Sequence, residues 1–216
     1  MSEELLNYLE GFMTPERRAK FEQVLNDRTY HFTVAIEDVF QAHNTSAVIR
    51  SCDVFGIQSA HVIEDRFGRK LDKNIAMGAQ KWVNVSRFDN AMECMKDLRE
   101  KGYRIVATTP HKTSCDLESF DIAPRSAFFF GTERKGLSET VLSQADDFLT
   151  IPMYGFTESL NISVSAAIIL QRLTQRLRSS KVEWQLKEEE KHQLRIDWAK
   201  KSIRSIDDVL KRFTEN

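Results

Sequence analysis

The sequence predicts an α/β fold: a mainly parallel, six-stranded sheet with helices on both faces. Three observations carry that expectation. Short runs of β-branched and aromatic residues recur along the middle of the chain, helical patterns fall between most of them, and two of the runs are almost wholly apolar. Strands alternating with helices favour parallel pairing, and a strand without polar alternation is one covered on both faces.

Residues 14–27, TPERRAKFEQVLND, read as a capped helix, with Thr14 as N-cap, Pro15 in the first turn and Phe21, Val24 and Leu25 on one face. The expected strands are FTVAIE (32–37), AHVIE (60–64), WVNVS (82–86), RIVATT (104–109), AFFFG (127–131) and DFLTI (147–151). Helical patterns at 45–56, 89–102 and 137–145 lie between them. Ligands of such sheets bind outside the carboxyl ends of the strands, so the loops after residues 109, 131 and 151 are the expected site. Beyond Gln171 the strand signal stops. Residues 172–216 hold 12 Lys/Arg against 8 Asp/Glu, a net +4 (12 − 8) in a chain of −1 overall, with Trp184, Leu194, Trp198, Ile203 and Phe213 at roughly helical intervals. One or two packing helices, an RNA-contacting appendage, or both, fit that composition. The expected organisation is a helical extension over 1–30, an α/β domain over 31–175 and a helical tail over 176–216.

With 216 residues, 41% of them hydrophobic, the chain can bury one sizeable core. Three cysteines without C-x-x-C spacing, and no histidine pair near them, argue against both a disulfide framework and a metal site. The first residues are acidic and lack the order of a signal peptide, and no apolar run reaches the ~18 residues of a membrane span. A reduced, cytoplasmic protein without a membrane segment or metal is expected. No nucleophile elbow accompanies the five histidines, which disfavours a hydrolase.

Three segments carry chemistry beyond what folding needs. GTERKGLSE (131–139) follows an apolar strand, but Leu137-Ser138 stands where a phosphate loop has Lys-Ser/Thr, so a Walker-type nucleotide site is disfavoured. In HNTSAVIRSCDVFGI (43–57), Asn44 or Thr45 can cap a helix, while Arg50 sits among apolar residues. Its planar fork suits phosphate or carboxylate, with a surface salt bridge as the plain alternative. IPMYGFTESLNISVSAAIILQ (151–171) leaves a strand through polar and flexible residues and enters an apolar helix that Ser159 or Asn161 can cap. Capping accounts for one polar residue there, not for Tyr154 to Glu158 as well, nor for the small residues Ser163, Ser165, Ala166 and Ala167.

In this order, N-x5-R, G-x-E-x-x-G and I-P-M-x-G-x-x-x-S-L-N-x-S-x-x-A-A, the segments resemble the SpoU branch of the SPOUT RNA methyltransferases, over roughly residues 31–175. The short N-terminal helix and helical tail look like its TrmH type, which methylates the 2′-hydroxyl of a tRNA D-loop guanosine. The resemblance implies a deep C-terminal trefoil knot, with residues 151–163 as the knotted crossing. It also implies a homodimer, S-adenosyl-L-methionine as cofactor and tRNA as partner. It assigns Arg50, Asn44, Glu133, Ser159 and Asn161 to the catalytic site, with Arg50 either as base or as phosphate clamp. Thr108, Gly131, Ile151, Met153 and Leu160 fall at the cofactor, and the basic residues Arg17, Arg18, Lys20, Arg172, Arg176 and Arg178 at the RNA. The chain departs from the type where Lys20 replaces an arginine and where the arginines after Gln171 shift register. Ribosomal RNA as substrate, or an RNA-binding module of the same fold without catalysis, are the alternatives.

Overall fold

The computed structural model describes residues 2–37, 42–64, 78–110, 115–132 and 135–215. They form two compact units, Thr29–Trp184 and, together, Met1–Arg28 with Gln185–Asn216. The strands are β1 (Phe32–Glu37), β2 (Ser59–Ile63), β3 (Asn84–Phe88), β4 (Arg104–Thr108), β5 (Cys115–Asp116), β6 (Ser126–Phe130) and β7 (Asp147–Thr150). The helices are α1 (Ser2–Glu10), α2 (Pro15–Asn26), α3 (Ala42–Phe55), α4 (Ala91–Glu100), α5 (Glu139–Gln144), α6 (Ile162–Arg178), α7 (Glu188–Ser202) and α8 (Ile206–Glu215).

In the larger unit the strands pair in the order β3-β2-β1-β6-β4-β7-β5, all parallel. Among the described residues the sheet therefore has seven strands, not six. The additional one, β5, is two residues long and pairs with β7 at the sheet edge, so it has no apolar run to announce it. β3 also starts two residues later than expected, because Ala79–Lys81 forms a 3-10 turn into which Trp82 and Val83 still donate their N–H groups.

Side-chain alternation along the strands divides the core into two layers. Phe128 and Phe130 of β6 join Val48, Cys52, Ile169 and Leu173 on the α3–α6 face. Ala127 and Phe129 of the same strand join Cys94, Leu98, Leu137 and Val141 on the α4–α5 face. Each buried phenylalanine contributes about 1.5–3 kcal/mol, so covering both faces of β6 makes this strand the centre of the unit. On α6 the buried residues Ile162, Ala166, Ile169, Leu173 and Leu177 recur at helical spacing, which turns one stripe of the helix onto the sheet.

The smaller unit joins α1 and α2 to α7 and α8. Thr14 caps α2 by accepting the Arg17 N–H at 3.3 Å, and Phe21 meets Trp198 edge to face at 5.4 Å. Leu9, Leu25, Leu194 and Ala199 are buried around them. No helix among the described residues is long and apolar enough to cross a membrane.

One buried histidine gives the fold a pH dependence. His61 Nε2 lies 3.1 Å from Thr33 Oγ1, which itself donates to the Ser59 carbonyl at 2.8 Å, so His61 is the donor and its Nδ1 carries no proton. Burial, helped by Lys101 and opposed by Asp97, lowers the His61 pKa from 6.5 to about 4. The unfolded chain takes up a proton near pH 6.5 while the folded ring stays neutral. Stability is therefore complete above pH 6.5 and is lost as pH falls towards 4. In urea melts, His61→Gln, which keeps an N–H for Thr33, is expected to lose less stability than wild type between pH 7 and pH 5. Equal losses would rule out this source.

Candidate active site

The carboxyl ends of β4, β6 and β7 open onto one cleft of about 540 Å³. Thr108 and Thr109 reach it from β4, Phe130 and Gly131 from β6, and Leu149 and Ile151 from β7. Residues 153 and 158–160 of the connection to α6 complete one wall. Thr108, Gly131, Ile151, Met153 and Leu160, spread over 53 positions of sequence, thus line a single space. Thr108 turns its hydroxyl back to the sheet, donating to the Phe129 carbonyl at 2.7 Å.

The loop after β6 closes tightly on itself. Thr132 and Gly136 exchange two backbone hydrogen bonds, 3.0 and 2.9 Å, as an isolated antiparallel bridge. That closure brings the backbone of Gly136 and Leu137 against Gly131, where a Cβ would overlap both. Gly136 turns the chain at φ +66°, a left-handed conformation glycine adopts without penalty. Glu133 lies outside the described residues.

Asn44 and Asn161 meet. Asn161 Nδ2 donates to Asn44 Oδ1 at 3.3 Å, joining the first turn of α3 to the start of α6. Asn161 also caps α6, its Oδ1 accepting the Ser163 N–H at 2.8 Å and the Ser163 hydroxyl at 2.6 Å. The capping role expected of Asn44 is not the one it has: α3 begins at Ala42, so Asn44 lies inside the helix, buried, with its side chain directed to α6. Ser159 lines the cleft beside Leu160.

Arg50 lies six residues beyond Asn44, about 9 Å along the axis of α3. It is exposed, and no hydrogen bond or ion pair ties it to any described residue, so the salt bridge considered for it does not form there. Arg50 and Asn44 are absent from the lining of the cleft in the single chain. Val54, four residues on, is 68% exposed on the same helix, and Leu160, Val164 and Ile168 expose an apolar stripe at the start of α6.

The basic residues divide into two groups. Arg17 and Lys20 are exposed on α2 and Arg18 is half-buried. The arginines of α6 are engaged within the chain. Arg172 forms a two-pronged pair with Glu118, and Arg176 donates to the carbonyls of Leu117 and Phe120 at 2.6 and 2.9 Å. Arg178 donates to the Phe55 carbonyl at 2.9 Å and lies over the Trp184 ring. Together they fasten α6 to the turn before β6 and to the end of α3.

Glu37 is a residue that sequence reasoning passed over. It ends β1, is 5% exposed, and accepts from Ser138 through both oxygens. The signal was a charged residue closing the mostly apolar run of FTVAIE.

A cleft outside the carboxyl ends of parallel strands, closed by a glycine-pinched loop, defines an α/β protein of the cofactor-binding class. The chain belongs to the SpoU rRNA methylase family, whose model matches residues 31–171, and is an RNA methyltransferase. It is 40% identical over 211 residues to a tRNA (guanosine(18)-2′-O)-methyltransferase of Borreliella burgdorferi, covering 98% of this chain and 94% of that one. A protein of the same name from Aquifex aeolicus is 30% identical over 199 residues, 90% and 94% of the two chains. Among solved structures, that of an A. aeolicus TrmH/SpoU tRNA modifying enzyme superposes with a TM-score of 0.76 at 29% identity, over 87% of this chain and 97% of the other.

Proposed function

We propose that this protein methylates the ribose 2′-hydroxyl of a D-loop guanosine in tRNA, using S-adenosyl-L-methionine. The observation that carries the reading is the near end-to-end match to a tRNA (guanosine(18)-2′-O)-methyltransferase, which takes in both units of the chain.

The cleft suits the cofactor. Its volume lies within the range of pockets for ligands of that size, and Leu149, Ile151, Leu160 and Ile169 give it an apolar wall for a flat base. Gly131 lines the cleft, and its missing side chain lets the backbone of Gly136 and Leu137 close against it to form the wall. When bound, the cofactor supplies a methyl group on a sulfonium, electrophilic towards an oxygen nucleophile. The chain's own residues bind and align the other reactant. Arg50 holds a phosphate beside the target ribose and orients its 2′-hydroxyl, a task for which the guanidinium fork is suited. Asn44 and Asn161 fix the two helix starts on either side of the site, Ser159 offers a hydroxyl at the cleft, and Glu133 steadies the loop after β6. The α/β domain over 31–175 carries this chemistry, with residues 151–163 as the crossing of a trefoil knot. Arg17, Arg18 and Lys20 contact RNA phosphates, and the protein works in the cytoplasm.

The active form in this reading is a homodimer. Arg50 does not line the cleft of its own chain, Val54 is exposed four residues further along α3, and Leu160, Val164 and Ile168 are exposed at the start of α6. A second copy seated there would cover that surface and complete the site. Ile168→Asp is expected to shift the protein from dimer to monomer in sedimentation and to remove most methyl transfer. A monomeric wild type with full activity would refute the dimer.

The functional test is transfer of labelled methyl to unmodified tRNA and, separately, to unmodified ribosomal RNA, with the product mapped by nuclease digestion. Label at one tRNA guanosine is expected. Label confined to ribosomal RNA would replace the substrate, and RNA binding without label would replace the enzyme by a binding module.

A further inference from the structure

The Glu37–Ser138 contact joins the end of β1 to the 131–139 segment, and nothing in the reaction as derived above uses it. Glu37 is the last residue of β1, aligned with Ile63 of β2 and one step beyond the Ile36–Phe130 pairing with β6. By strand alternation its side chain lies on the same face as Ala35, the α4–α5 layer that also holds Leu137 and Val141. There its Oε2 accepts the Ser138 N–H at 2.7 Å and its Oε1 the Ser138 hydroxyl at 2.6 Å. Ser138 Oγ in turn accepts the Val141 N–H at 3.3 Å, as the cap of α5. Residue 138 directly follows Gly136 and Leu137, which line the cleft.

A carboxylate has no general need to be buried at a strand end. Desolvation opposes it unless its oxygens are satisfied, and here the satisfying groups both belong to one residue 101 positions away. A cap for α5 alone would need only the Ser138 hydroxyl. The carboxylate adds a fixed distance between the exit of β1, which leads to the helix bearing Asn44 and Arg50, and the loop forming one wall of the cleft.

We propose that Glu37 and Ser138 form a clasp that holds the 131–138 loop at the spacing the cofactor requires, making both of them positioning residues for methyl transfer. The proposal rests on the reading that this cleft takes S-adenosyl-L-methionine. The clasp acts through Gly136 and Leu137 and does not touch the reacting atoms. Its loss therefore weakens cofactor binding and leaves RNA binding unchanged.

Ser138→Asp separates the clasp from the cap. Aspartate is a good N-cap and keeps an acceptor for the Val141 N–H, but it sets a second carboxylate against Glu37. By calorimetry, S138D is expected to bind S-adenosyl-L-methionine about tenfold or more weakly, since hydrogen bonds to a charged group are replaced by repulsion. In S138D, amide exchange at Gly136–Ser138 should also be faster. Adding Glu37→Gln restores a donor facing the new carboxylate, so the double variant should regain most of the affinity and the slow exchange. Wild-type affinity in S138D, or a double variant no better than S138D, would overturn the clasp. If S138D does not fold, Glu37→Gln alone decides: loss of the charge should cost about fivefold in affinity, and no loss overturns the proposal. Failure of the wild type itself to bind would overturn the cofactor reading instead, and the exchange rates would still test the clasp.

Discussion

Arg50→Ala is expected to lower methyl transfer by about a hundredfold or more, the scale of a lost substrate-positioning group, while leaving cofactor affinity essentially unchanged. The two halves of that expectation come from the same geometry. Arg50 is outside the cleft lining, so truncating it removes nothing the cofactor touches. It is also exposed, with no partner among the described residues, so truncation leaves no buried charge and stability should hold. Arg50→Lys should recover little, because a point charge cannot reproduce the two parallel donors of a guanidinium. Transfer assays with calorimetry of the cofactor check both parts. A variant that loses cofactor binding together with activity would move Arg50 into the cofactor site.

Gly131→Ala is the second large effect. The added Cβ meets the backbone of Gly136 and Leu137, neither of which can rotate away as a side chain would. Relief requires the Thr132–Gly136 bridge to open, and overpacking of this kind costs about 1–3 kcal/mol or more. At about 2–4 °C per kcal/mol for a chain of this size, a 3 kcal/mol cost lowers the melting midpoint by roughly 6–12 °C. Cofactor binding should fall below detection, because the wall of the cleft moves. Gly136→Ala is the control. Its added Cβ has no atom within 4 Å, and its strain is conformational only, about 1–2 kcal/mol for a left-handed φ of +66°. Greater damage at 136 than at 131 would show that the turn, and not the close approach, governs the loop.

What the sequence disclosed, and what it hid, follows from how locally each feature is encoded. Apolar runs such as AFFFG mark strands because both faces of the sheet must be filled, and that requirement is written in consecutive residues. The cleft was legible too, since its position follows from parallel topology. β5 was not, because two residues carry no periodicity. The contacts that Arg172, Arg176 and Arg178 make within the chain were hidden for a different reason. A basic residue near a helix end looks the same whether it faces RNA or, as at Arg176, carbonyls 56 and 59 positions away. Asn44 is a similar case: cap chemistry was the local explanation, and a partner 117 positions away at Asn161 displaced it. Glu37 and Ser138 each satisfy an ordinary local reading, and their pairing exists only in the fold.

In the proposed reaction the reacting atom is the 2′-oxygen of one tRNA guanosine. The most direct test is methyl transfer to two otherwise identical unmodified tRNAs, one with guanosine and one with 2′-deoxyguanosine at the mapped position. Label on the first and none on the second, with similar binding of both, is the predicted result. Equal labelling of the two would place the methyl group on the base and contradict ribose methylation.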